Sequence, residues 1–151
     1  MPEPVTDIRL ATSGLDPAAE LGRFAAAHGG AGGIVSFVGQ VRGDDAIEAL
    51  ELRHFAPLTL AGMQALAQQA LARWPLAGLV IAHRIGVLLP GEPIVFVAAA
   101  ARHRRDAFAA ADFTMDHLKS ESWFWKREKS AGEWRWVEPR AQDHIDLDRW
   151  A

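Results

Sequence analysis

The stretch G-I-V-S-F-V-G-Q-V, residues 33–41, is where the fold is decided. It is apolar and rich in β-branched residues, the composition of a buried strand. The residues that follow, Arg42-Gly43-Asp44-Asp45, carry turn chemistry, and residues 47–55 read as the returning strand. A hairpin is therefore expected here. Hairpins interspersed with helices give an α+β chain with a mixed or antiparallel sheet, not a doubly wound parallel one.

The flanking sequence fits that frame. Upstream, residues 5–10 form a short strand with Val5, Ile8 and Leu10 as its apolar positions. Asp16-Pro17 starts a helix, because aspartate satisfies free amides and proline suits the first turn. That helix, residues 18–28, stops at Gly29-Gly30. Downstream, residues 57–74 carry helical spacing through Leu58, Met63, Leu66, Ala70 and Leu71, and Pro75 ends them. Strands follow at 79–85 and 94–101, on either side of the turn Leu89-Pro90-Gly91-Glu92. A third helix over 104–120 places Phe108, Ala111, Met115 and Leu118 on one face. Residues 123–127 and 134–138 read as a second hairpin around Ser130-Ala131-Gly132. The polar tail, 139–151, is expected to be a loose end or a cover for a partner.

Residues 1–151 are expected to form one domain: no repeat, low-complexity segment or linker divides them, and half the residues are hydrophobic. A net charge of -3 argues against a general nucleic-acid binder. No apolar run reaches the roughly 18 residues that span a bilayer. Met1-Pro2-Glu3-Pro4 lacks a basic start followed by an apolar segment, so a cytoplasmic chain is expected. There is no cysteine, which excludes disulfides, thiolate metal sites and a catalytic thiol. Any sulfur chemistry must use sulfur carried by another molecule. The six histidines, at 28, 54, 83, 103, 117 and 144, form no tight ligand spacing, so a structural metal is not expected; no cofactor is expected either.

Three constellations carry chemistry. In K-S-E-S-W-F-W-K-R-E, residues 119–128, two lysines flank three consecutive aromatics. Burial beside aromatic surface disfavours an ammonium and prepares it as a base or nucleophile; the plainer alternative is lysine stems covering aromatic surface with wet heads. If residues 123–127 are a strand, Lys126 shares a face with Phe124 and Glu128, opposite Trp123, Trp125 and Arg127. Arg42, beside a glycine-containing turn, suits a phosphate or carboxylate, or is an ordinary surface arginine. His103-Arg104-Arg105 opens a helix, where free amides favour an anion; the alternative is a solvated basic surface. His103 and Lys119 lie 16 residues apart on one helix, about 24 Å at 1.5 Å per residue. One small ligand reaches both only if a second copy of the chain completes the pocket.

The ordered motifs resemble a known family. They are G-G-I-V-S-F-V-G-Q-V-R (32–42), R-W-P-L (73–76), H-R-I-G (83–86), P-G-E-P-I-V-F-V (90–97), H-R-R-D-A-F (103–108), M-D-H-L-K (115–119), F-W-K-R-E (124–128) and W-V-E-P-R (136–140). Together they resemble the large, catalytic subunit of molybdopterin synthase. The resemblance implies an α/β-hammerhead core with an added antiparallel β subdomain. It implies a sulfurtransferase that converts cyclic pyranopterin monophosphate to molybdopterin. The sulfur would come from a small ubiquitin-like partner with a C-terminal Gly-Gly thiocarboxylate. The assembly would be a homodimer within a heterotetramer, with no nucleic acid and no membrane. Catalysis would fall to Lys119 and Lys126, and substrate binding to Gln40, Val41, Arg42, His103, Arg104, Arg127, Glu128 and Arg140. Phe55, Leu58, Leu60 and Trp123 depart from the family pattern. A non-catalytic module that binds a ubiquitin-like tail is the alternative; a single-stranded nucleic-acid binder that stacks bases on tryptophan fits the acidic balance poorly.

Overall fold

A computed structural model of the chain describes residues 3–43, 46–120 and 123–151. Asp44 and Asp45 of the expected turn, and Glu121 and Ser122 between the two lysines, lie outside the described residues. In chain order the elements are β1 (Val5–Ala11), α1 (Pro17–Ala27), β2 (Gly33–Gln40), β3 (Ala49–His54), α2 (Leu58–Arg73) and β4 (Leu76–Arg84). Then come β5 (Gly86–Leu88), β6 (Pro93–Ala101), α3 (Arg104–Ser120), β7 (Phe124–Ser130), β8 (Glu133–Val137) and α4 (Ala141–Asp148). They form an α+β fold with two four-stranded sheets, ordered β1-β4-β6-β2 and β5-β3-β7-β8. The first sheet is mixed, since β1 runs parallel to β4 while the other neighbours are antiparallel. The second is antiparallel throughout.

The expected hairpin of residues 33–41 with 47–55 does not form. β2 pairs with β6 from Gly33 opposite Ala101 to Gln40 opposite Pro93, while β3 lies in the other sheet between β5 and β7. The chain changes sheets just after Val41, which is tied to the turn before β6: its N–H donates to the Glu92 carbonyl at 3.0 Å and its carbonyl accepts from Gly91 N–H at 2.8 Å. The local turn residues are compatible with either topology. The choice rests on distant partners: Leu50 and Leu52 of β3 bury with Val41 and Leu88 in a small core of their own. The second hairpin, β7 with β8, forms as expected.

The main core lies between the first sheet and helices α2 and α3, around Met63, Leu66, Ile81, Val97 and Phe113. The opposite face of the same sheet is covered by α1 through Phe24, against Val80, Phe96 and Ala98. Leu58 and Phe108, expected on buried faces, are 66% and 60% exposed. α3 instead buries Ala107, Ala110 and Ala111. Opposite them stand Ala99 and Ala101 of β6, both fully buried. Small side chains on both elements bring helix and strand close together. Gly32 extends this close approach. A Cβ there would lie 1.9 Å from the Arg102 carbonyl oxygen, so the segment leading into α3 rests on bare backbone.

The tail is folded, not loose. α4 lies against α3, where Ser120 Oγ donates to the Asp143 carbonyl at 2.8 Å. Trp150 anchors the end: its Nε1 donates to Asp116 at 2.6 Å, and its ring sits edge-on to Trp74 and Phe113. Arg149 pairs with Asp112 and Asp116. One aromatic anchor and a few ion pairs hold a segment whose composition alone reads as polar surface. Among the described residues, no helix is long and apolar enough to cross a membrane.

Candidate functional site

A cavity of about 370 Å³ opens where the two sheets, the C-terminal end of α3 and the segment between β8 and α4 meet. That volume lies within the range of small-ligand sites. Leu50 and Leu52 of β3 and Phe124 of β7 supply its apolar surface, Lys119 enters from the last turn of α3, and Lys126 enters from β7. Lys126 stands in register between Leu52 of β3 and Val137 of β8, so β-sheet alternation aims it with Phe124 and Glu128. The two lysines thus meet because α3 ends at Ser120 and β7 starts at Phe124.

Four cations (Arg42, Lys119, Lys126 and Arg140) and three carboxylates (Glu128, Glu138 and Asp143) line this space. Lys126 Nζ lies 3.8 Å from Glu128. Asp143 accepts hydrogen bonds from the Arg140 N–H at 3.0 Å and from its guanidinium at 3.2 Å. Lys119 is held below the ordinary lysine value. Burial is the main cause, followed by the charge of Lys126; Arg140 and Arg42 act the same way and Asp143 opposes them. Lys119 is accessible at the surface and lines the cavity, where the surrounding protein still disfavours its charged form. The arrangement can bind an anionic ligand and present one amine that gives up its proton more readily than an ordinary lysine.

The aromatic shelter expected of residues 123–125 reduces to one ring. Phe124 alone of the three lines the cavity. Trp125 points away and is half exposed, edge-on to Trp136 and Phe55. Trp123 lies against α2, where a Cβ on Gly62 would come within 2.4 Å of its indole. Its carbonyl accepts from Thr59 Oγ1 at 2.6 Å, and Thr59 Oγ1 in turn accepts from Phe55 N–H at 2.8 Å. This relay through a fully buried threonine pins the start of β7, and with it Lys126, to α2.

The remaining sequence-chosen residues divide. Glu128 and Arg140 join the lysines in the cavity. Arg42 lines it too, and also borders an open groove with Gln40, Val41, Pro90 and Gly91. Arg127 lies on the opposite face of β7. It donates to Glu51 at 2.6 Å and stacks over Trp134 at 4.4 Å, and that bond lowers the Glu51 pKa. His103 and Arg104 sit exposed at the far end of α3 and line neither space. The structure adds His83, which the sequence offers only as one of six histidines and inside the H-R-I-G motif. It is buried at the end of β4 and stacks on Phe124 with ring centroids 3.9 Å apart. A histidine following the apolar run Leu79–Ala82 is the available signal. Among the described residues, no group of three or more metal-ligating side chains could hold an ion.

Comparison with known proteins agrees with this architecture. The profile of the family described as MoaE protein matches residues 10–121. The molybdopterin synthase catalytic subunit of Cereibacter sphaeroides is 47% identical over 133 residues, covering 87% of this chain and 91% of that protein. The molybdopterin synthase catalytic subunit of Caulobacter vibrioides is 42% identical over 144 residues, covering 95% and 96%. The solved structure of the molybdopterin biosynthesis MoaE protein from Burkholderia ambifaria superposes with a TM-score of 0.81 at 40% identity, covering 98% of each chain. On sequence and fold alike, the chain belongs to the MoaE protein family.

Proposed function

We propose that this chain is a single-domain, cytoplasmic catalytic subunit of molybdopterin synthase. It moves sulfur from the C-terminal thiocarboxylate of a small ubiquitin-like partner onto cyclic pyranopterin monophosphate, forming the dithiolene. The observation that carries this reading is the meeting of Lys119 and Lys126 in one cavity of ligand size, within a chain that has no cysteine of its own. Relatives that cover most of the chain bear the name of the catalytic subunit.

The residues divide the work by their chemistry. Lys119, whose proton is loosened by burial and by the charge of Lys126, acts as the acid/base group. Lys126, held near Glu128, stabilises negative charge as sulfur transfers. Arg42 and Arg140 take the phosphate end. Walls formed by Leu50, Leu52 and Phe124 keep water from the reacting sulfur. His103 and Arg104, at the distant end of α3, serve the pocket of a second copy in a homodimer, each dimer carrying two small subunits.

Reconstitution tests the whole reading. The chain, a thiocarboxylated partner and the cyclic precursor should yield dithiolene, and Lys119→Ala or Lys126→Ala should remove product while partner binding survives. No product from the unmutated complex would defeat the proposal. Mixing addresses the shared pocket: dimers formed from an Arg104→Ala chain and a Lys119→Ala chain should regain part of the activity. Failure to regain any would count against a pocket built from two copies.

A further inference from the structure

His83 is the buried titratable group that the proposed chemistry leaves unused. Its Nδ1 lies 2.8 Å from the carbonyl oxygen of Arg84. A carbonyl only accepts, so Nδ1 carries the hydrogen. The ring is neutral near pH 7, because burial, with a smaller contribution from the Lys119 charge, lowers its pKa to about 4. In a neutral ring with hydrogen on Nδ1, Nε2 is a bare acceptor. Nε2 is also the ring nitrogen farthest from the strand. Among the described residues it has no hydrogen-bond partner, and it is not among the atoms sealed from solvent. The ring belongs to the cavity wall, and its stacking on Phe124, 17° from parallel, fixes its orientation.

We propose that His83 is a specificity-determining residue of the cavity, accepting a hydrogen bond through Nε2 from a ring N–H of the bound ligand. The four cations around it recognise anionic groups and offer donors only. Of the three carboxylates, Glu128 and Asp143 are engaged by Lys126 and Arg140, and Glu138 is exposed to solvent. A neutral acceptor on an aromatic wall suits the flat, nitrogen-rich edge of a pterin, and this inference rests on the pterin reading above. An anionic ligand without such an edge would leave Nε2 desolvated and unpaired, which disfavours it.

The test uses the full chain, neopterin monophosphate as a stable pterin probe, and inorganic phosphate as a control. Nitrogen-15 NMR of the ligand-free protein should show hydrogen on Nδ1 of His83 and a bare Nε2, and the Nε2 resonance should move upfield when the pterin binds. His83→Phe keeps a ring against Phe124 and removes the acceptor. It should weaken pterin binding about tenfold, the scale of one buried hydrogen bond, and leave phosphate binding unchanged. His83→Gln, which places an amide oxygen near the Nε2 position, should restore most of the loss. It also stands in if the Phe variant fails to fold. Hydrogen on Nε2, or equal pterin affinity in the native, Phe and Gln chains, overturns the role of His83 and leaves the synthase reading intact. If the native chain binds phosphate and does not bind the pterin, both fall together.

Discussion

At the residue scale, the site depends on two groups pushed toward neutrality. Lys119 is lowered from the ordinary value of 10.5 by burial and by Lys126. Following the Lys119 side chain by carbon-13 NMR in a Lys126→Met protein should show its pKa rise toward that ordinary value. An unchanged midpoint would remove Lys126 as a cause. His83 takes its proton near pH 4 when folded and near 6.5 when unfolded. Between these values the unfolded chain binds more protons, so stability falls as pH drops through the window. This one group should cost about 2 kcal/mol between pH 7 and pH 4.5. Urea unfolding at both pH values should show that loss, and His83→Gln should shrink it by the same amount. The sequence exposed the lysines because their spacing around aromatics is unusual. It did not expose His83, whose role depends on a cavity wall assembled from five strands and two helices.

At the element scale, β7 is the part that must be placed accurately, and Thr59 places it. Thr59→Val keeps the shape and strands the Phe55 N–H and the Trp123 carbonyl without partners. The expected cost is about 1–3 kcal/mol, read by urea unfolding, with Thr59→Ser recovering most of it. Lys126 stands three residues along from Trp123, so the same change should lower turnover even in protein that stays folded. A Thr59→Val chain as stable and active as the native one would show that the relay does not hold β7. Elements with a local cause were legible in sequence: α1 by its Asp16 cap and α2 by its stop at Pro75, with β7 and β8 joined through Gly132. The partner of β2 was not, because a turn sequence records that the chain reverses and is silent on which distant strand waits beyond it.

At the scale of the whole molecule, the tail closes the structure. Trp150 fixes α4 to α3 and so fixes Arg140 and Asp143 beside the lysines. Trp150→Ala should cost about 2–4 kcal/mol, between a half-buried and a fully buried aromatic. It should also expose the segment after Val137 to limited proteolysis. A melting temperature equal to that of the native chain, with the tail still resistant, would show that other contacts hold α4. The charge balance read from sequence concerns the molecule as a whole and says little of this corner, where cations outnumber carboxylates. The indole positions have a practical corollary for spectroscopy. None of the six tryptophans borders the cavity. Intrinsic emission will therefore track loosening of the outer hairpin and release of the tail, and will stay nearly silent when the cavity fills. Occupancy is better followed by calorimetry, or through a chromophore carried in by the guest.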